Sequence, residues 1–213
     1  MIPFLPQRRQ LLDTALRMND CGLNQGSSGN LSARVDGGFL VTPTGLPYDA
    51  LSPEDLAFMR PDGSWEGPRK PSSEWRFHRD LFVQRPDVHA VLHAHPVACT
   101  ALACMRREIP AFHYMIAIAG GASLRCAPYA LFGTEELSRH AIAAMEGRKA
   151  CLLANHGLLV AASDLAQALR IAVELEALAS MYLKILAVGE PVILGDAEMA
   201  LVIEKFKTYG QQT

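Results

Sequence analysis

A chain of 213 residues that is half hydrophobic, with 20 basic and 22 acidic side chains and a formal charge of -2, can bury a substantial core as one domain. No basic cluster exceeds Arg106-Arg107 or Arg148-Lys149, so composition argues against a nucleic-acid or other polyanionic partner. The cysteines at 21, 99, 104, 126 and 151 are odd in number, lack a C-x-x-C pair and have small apolar neighbours, as buried thiols in a reducing cytoplasm do.

The N-terminus turns polar at Gln7-Arg8-Arg9 before a secretory signal has formed, and helical spacing then carries Leu11, Leu12, Ala15, Leu16 and Met18 to a terminating Gly22. Residues 29–35 and 39–42, joined by Asp36-Gly37-Gly38, read as a hairpin, and Ser52-Pro53-Glu54-Asp55 as a cap with proline at the first helical position. Pro61-Asp62-Gly63-Ser64 is a turn between short strands. Ser72 or Ser73 is expected to cap a helix reaching Gln84, with Glu74 in its first turn and Pro86 beyond its end.

A strand over 90–95, a helix from Pro96 to Met105, a strand-like segment over 112–118 and a helix capped by Thr134 follow. Strands at 150–155 and 158–162 flank His156-Gly157, which also interrupts the longest apolar stretch, so no membrane span is expected. Asp164 opens the longest helix, to about Val188, with apolar residues on more than one face, consistent with deep burial or with an oligomer interface. Hairpins and helices alternate without a strict strand-helix repeat. The fold class that follows is α/β in a single domain over 1–213, with a largely antiparallel central sheet flanked by helices and a mobile tail over 200–213.

His93-Ala94-His95 is the most informative local feature. Histidines two apart on a strand project to one face, and with His156 they would hold a metal while leaving one tetrahedral position open, as catalytic zinc sites do. The same pair read alone fits two core histidines satisfied by main-chain carbonyls equally well. Three small-residue corners, Ser28-Gly29-Asn30, Thr44-Gly45 and Ser72-Ser73, would together let main-chain amides cradle a phosphate, although each taken singly is a plain turn or cap. Neither G-x-G-x-x-G nor G-x-x-x-x-G-K-[ST] is present. Glu74 is either a helix-terminus partner or, beside a metal, a base able to move a proton to and from carbon. His78, His89, His113 and His140 read as packing or supporting residues.

The stretches Gly22-Leu23-Asn24-Gln25-Gly26-Ser27-Ser28-Gly29-Asn30, Thr42-Pro43-Thr44-Gly45, Pro71-Ser72-Ser73-Glu74-Trp75-Arg76-Phe77-His78, the His93/His95 pair, Ile109-Pro110-Ala111-Phe112-His113-Tyr114-Met115-Ile116-Ala117 and Glu204-Lys205-Phe206-Lys207-Thr208-Tyr209-Gly210 together resemble the zinc-dependent class II aldolase/adducin family, and within it the fuculose-phosphate-cleaving branch. The resemblance runs from the first helix to the C-terminal tail. It implies helices on both faces of the sheet and one Zn2+ per subunit on His93, His95 and His156, with Glu74 as base and occasional ligand. It further implies phosphate binding by Gly29, Asn30, Thr44, Gly45, Ser72 and Ser73, and apolar aldehyde-pocket walls at Phe132 and Phe206. Tyr114, reaching in from an adjacent subunit of a homotetramer, would protonate the aldehyde oxygen, and Tyr209 would close the site. Both tyrosines fit buried, hydrogen-bonded hydroxyls as well.

The chain departs from that branch at Ala94 and Asn155, where its members carry Asn and His; the ligands survive, but the groups that orient them are put in question. The activity implied is reversible cleavage of a ketose 1-phosphate, L-fuculose 1-phosphate foremost, to dihydroxyacetone phosphate and a small aldehyde such as L-lactaldehyde. Aldolases for 5-deoxyribulose 1-phosphate or another ketose 1-phosphate, an L-ribulose-5-phosphate 4-epimerase of the same family, and an adducin-head-like interaction module are the rivals. Glu74 stands where the epimerases carry Asp, and the adducin module lacks the metal ligands this chain keeps.

Overall fold

In the computed structural model, which describes residues 2–208, β1 (Asn30–Val35) lies antiparallel to β2 (Gly38–Val41) on one side and to β5 (Ala90–Ala94) on the other. With β3 (Ala57–Met59), β4 (Trp65–Glu66), β6 (Cys126–Ala127), β7 (Ala150–Leu153) and β8 (Gly157–Ala162) they form one eight-stranded sheet, ordered β4-β3-β2-β1-β5-β8-β7-β6. Only the β6–β7 pair is parallel, so the expectation of a largely antiparallel sheet is met.

Strand alternation divides the core in two. Ala90, Leu92 and Ala94 of β5, with Leu158, Val160 and Ala162 of β8, face a layer built from α1 (Leu5–Asp20), α3 (Val97–Cys104) and α5 (Leu165–Leu186). Val91, Leu159 and Ala161 face the opposite layer of α2 (Trp75–Gln84) and α4 (Glu135–Ala144). His93 shares the parity of Val91, so its imidazole enters the α2 side. Ala94 is fully buried on the other side, and an asparagine there would point into apolar core and not at the paired histidines.

Local chemistry sets several boundaries as expected. The Thr134 side chain accepts from Leu137 N, Asp164 accepts from Gln167 N, and α1 stops two residues before Gly22, whose φ is 72°. Other boundaries differ. Segment 112–118 is not a strand: Tyr114–Ala119 is a 3-10 helix, begun by the His113 imidazole accepting from Met115 N and ended at Gly120 with φ 88°. A short apolar run carries no period that separates the two outcomes. Neither Ser72 nor Ser73 is the helix cap, because α2 starts at Trp75 and Glu74 occupies that position. Ser72 Oγ instead accepts from Glu74 N.

Residues 200–206, assigned above to a tail, belong to α6 (Asp196–Phe206), which packs on the 3-10 segment. On α5, Val173 and Met181 are exposed while Leu169, Ala172, Leu175, Leu178 and Ala179 are buried, so one apolar stripe of the longest helix is uncovered. All five cysteines are free thiols; Cys99 and Cys151 are buried, Cys126 is half-buried, and Cys21 and Cys104 are exposed, against the expectation for those two. Among the described residues no helix is long and apolar enough to cross a membrane.

Candidate active site

Three loops converge at the end of the central strands. Main-chain bonds from Thr44 N to Lys70 O and from Ser72 N to Thr42 O zip the 42–45 loop to the 70–74 loop, and an isolated bridge pairs Pro43 with Pro71. Thr42 in turn binds Leu31 through both N–H and Oγ1, which anchors the start of β1 beside them. Gly29, with φ 76°, lies so close to the His93 carbonyl that an added Cβ would stand 2.7 Å from it.

Asn30 is the cross-strand neighbour of His93, and His95 follows one residue past the end of β5, its N–H donating to Asn24 Oδ1. His156 projects from the β7–β8 turn. There Asn155 adopts φ 52°, a left-handed conformation that asparagine tolerates better than most side chains, and its Oδ1 accepts from Arg106 Nε at 2.9 Å. The departure at 155 therefore has a local role in shaping the turn that presents His156.

His93, His95 and His156 form the group of ligating side chains found among the described residues, with ligand atoms within 4.8 Å of one another. Ring centroids are 4.7–5.0 Å apart. His93 Nδ1 faces Leu158 O at 3.0 Å and donates to it, which leaves the Nε2 lone pair directed at the cluster. Burial pushes the His93 pKa down to about 3, and burial followed by the charge of His156 lowers that of His95, so both imidazoles present lone pairs at neutral pH. His93 Nε2 and His95 Nε2 are 2.9 Å apart, close to the roughly 3.3 Å expected between nitrogens on a tetrahedral zinc.

Glu74 completes the set. Its Oε2 lies 3.3 Å from His93 Nε2 and its Oε1 3.2 Å from His156 Nε2. Burial disfavours its charge, yet the facing His93 and His156 and the Asn30 amide hold the carboxyl below the usual carboxylate range. Oε2 accepts from Asn30 Nδ2 at 2.9 Å, whereas Oε1 is buried and accepts no hydrogen bond. Three imidazoles, a carboxylate and a buried oxygen without a hydrogen-bond donor fit a divalent cation, and the absence of cysteine among them suits a catalytic role.

The cluster opens into a cavity of ≈ 340 Å³ whose lining includes Gly29, Asn30, Thr44, Gly45, Ser72, Ser73, Glu74, His95, His156 and Phe132. All six residues expected at a phosphate thus share one cavity with the carboxylate and two of the histidines. Tyr129 and Ala130 also line it and were not singled out in the sequence; their only clue was adjacency to Phe132 on one connection. Tyr114 is exposed, stacks on His113 at 4.8 Å and does not line this cavity. Phe206 lies elsewhere, beside Ala117, Ile118 and Ile203. Tyr209 lies outside the described residues.

Gly157 makes the His95 position sensitive to a single methyl. An added Cβ would sit 2.4 Å from Ala94 O and 2.7 Å from His95 Cδ2. Gly157→Ala is expected to displace that ring and to cost about 1–3 kcal/mol of stability. Thermal unfolding together with metal stoichiometry checks this, and a variant identical to the parent in both would contradict it.

The family model for the class II aldolase and adducin N-terminal domain matches residues 9–183. A Rhodospirillum rubrum protein named 5-methylthioribulose-1-phosphate/5-deoxyribulose-1-phosphate aldolase is 55% identical over 203 residues, covering 95% of this chain and 92% of the relative. An L-fuculose phosphate aldolase from Escherichia coli strain K12 is 52% identical over 203 residues, covering 95% and 94%. A solved structure of an L-fuculose 1-phosphate aldolase superposes with a TM-score of 0.91 at 42% identity, covering 94% of this chain and 95% of that one. On the trio of imidazoles, the fold around it and these likenesses, the chain belongs to the class II aldolase and adducin family and is one of its aldolases, a lyase.

Proposed function

We propose that this enzyme reversibly cleaves a ketose 1-phosphate whose far end is deoxygenated and apolar, giving dihydroxyacetone phosphate and a small aldehyde, with zinc on His93, His95 and His156. The observation that carries the proposal is the cavity in which Gly29, Asn30, Thr44, Gly45, Ser72 and Ser73 meet Glu74, Phe132 and two imidazoles of the cluster, His95 and His156. A zinc ion held there supplies a Lewis acid for the oxygens that gain negative charge as the C3–C4 bond breaks.

The remaining work falls to side chains. Gly29, Asn30, Thr44, Gly45, Ser72 and Ser73 grip the phosphate, so binding energy remote from the reacting carbons is converted into orientation. Glu74 returns the proton to C3 after cleavage or removes it in synthesis, a role supported by its burial beside His93 and His156 in the cavity. Tyr114 protonates the C4 oxygen from a neighbouring subunit of a homotetramer. Its exposure and its position outside the cavity of its own chain support a role in another chain's site, as the placement of Phe206 does for that residue. The uncovered Val173 and Met181 stripe supports assembly as well.

Phe132, with Tyr129 and Ala130 beside it in the cavity lining, supplies the wall proposed to face the aldehyde. L-fuculose 1-phosphate, which would yield L-lactaldehyde, satisfies that surface. The Rhodospirillum rubrum relative's name makes 5-deoxyribulose and 5-methylthioribulose 1-phosphates a second reading, since those sugars share the deoxygenated end. One methyl in an apolar pocket changes binding by only about 1–3 kcal/mol, so overlapping activity on all three is expected. Dihydroxyacetone phosphate release from a panel of ketose 1-phosphates tests this. Release from none of them would refute the proposal, and so would conversion of L-ribulose 5-phosphate to D-xylulose 5-phosphate without fragmentation.

A further inference from the structure

Four buried polar side chains form one line through the α2 side of the sheet. Ser32 and His78 are fully buried, Asn30 is 4% exposed and Glu74 7%. Ser32 Oγ is 2.6 Å from His78 Nδ1, His78 Nε2 is 2.5 Å from Asn30 Oδ1, and Asn30 Nδ2 donates to Glu74 Oε2 at 2.9 Å. We propose that Ser32 and His78 are positioning residues that, through Asn30, hold the Glu74 carboxylate by Oε2 and so set its orientation between His93 and His156 for the proton at C3.

The direction of every bond in the line is set by its end. An ionised carboxylate only accepts, so Asn30 turns its NH2 to Glu74 and its carbonyl to His78. His78 must then donate from Nε2, which makes Nδ1 an acceptor and Ser32 its donor. The opposite tautomer would set His78 Nε2 and Asn30 Oδ1 against each other as two acceptors, or flip Asn30 and set its carbonyl against the carboxylate. Burial pushes the His78 pKa down to about 3, so the ring is neutral and cannot donate from both nitrogens.

A histidine kept only for packing would commonly be satisfied by main-chain groups, as His93 Nδ1 is by Leu158 O. Here each bond joins side chain to side chain, the minority type in proteins, and the line ends on Glu74. Ser32 and Asn30 come from one strand two residues apart, and Glu74 and His78 from one helix turn four apart. The line therefore also fixes α2 against β1 at the height that puts Glu74 between His93 and His156.

This inference rests on the proposed role of Glu74. The test uses the zinc-loaded enzyme and measures exchange of the C3 proton of dihydroxyacetone phosphate with solvent, beside zinc content and the nitrogen-15 spectrum of the histidines. His78→Phe is expected to lower kcat for exchange about 10- to 100-fold, with KM and zinc stoichiometry unchanged. His78→Gln, which can still offer an N–H to Asn30, is expected to recover most of that loss, and Ser32→Ala to lose less than His78→Phe.

In the parent enzyme the His78 ring, assigned by its disappearance in His78→Gln, is expected to carry its proton on Nε2. A proton on Nδ1, an undiminished kcat in His78→Phe, or a loss confined to KM or matched by loss of zinc would overturn the proposal. If His78→Phe does not fold, the tautomer together with the Ser32→Ala and His78→Gln rates decides. A parent enzyme that exchanges no proton counts against the role given to Glu74, and the tautomer then still reports separately on the line itself.

Discussion

Glu74→Gln is expected to retain zinc on the three histidines while losing about 10²–10⁴-fold in exchange of the C3 proton of dihydroxyacetone phosphate with solvent, the range over which a positioned general base contributes. The amide preserves the length and planarity of the carboxylate and offers an oxygen to Asn30 Nδ2, so the surroundings of Oε2 need not change. What disappears is the basicity of the carboxylate that shares the cavity with His95 and His156. Tyr114→Phe is expected to do the reverse, slowing cleavage while leaving exchange nearly intact, because exchange involves no aldehyde. Exchange at the parent rate in Glu74→Gln would remove Glu74 from its role, and equal losses of both reactions in Tyr114→Phe would refute the division of labour.

Stripping the enzyme with a chelator, or replacing His93 by Ala, is expected to abolish cleavage by a factor on the order of 10³ or more, since Lewis-acid stabilisation is worth several kcal/mol and each 1.4 kcal/mol is tenfold. The thermal midpoint should fall together with activity, because an ion that binds only the folded chain stabilises it. Restoring zinc should recover both properties in the stripped parent but not in His93→Ala, whose buried Nε2 has no substitute. Full activity after exhaustive chelation would sink the metal-dependent reading altogether.

The parts of the molecule legible in the sequence are those decided by short-range rules. His93 and His95 share a face because strand side chains alternate, and Thr134 and Asp164 cap helices because their side chains reach amides three residues on. Segment 112–118 is ambiguous in sequence because its six apolar residues fit a strand or a helical turn alike, and the His113 ring accepting from Met115 N starts the 3-10 turn instead. α6 is encoded by Met199, Val202, Ile203 and Phe206, which recur at helical spacing behind Gly195, in a stretch the tail motif obscures. The line from Ser32 to Glu74 was beyond reach, since it joins residues as far as 48 apart through the packing of α2 on β1. Gly29, Asn30, Thr44, Gly45, Ser72 and Ser73 are unremarkable turn residues in sequence, and they come to line one cavity only once the 42–45 and 70–74 loops are zipped together.

Tyr129, Ala130 and Phe132 all belong to the connection between β6 and α4, whereas the imidazoles and Glu74 come from β5, the turn at 156 and the start of α2. The proposed wall for the departing fragment within one chain and the proposed metal-and-base cluster thus fall on separate pieces of chain. A randomised library confined to 129–132 is therefore expected to change the preferred aldehyde while sparing metal binding and the base, with Gly133 kept because a Cβ there would stand 2.8 Å from Ser73 O, next to Glu74.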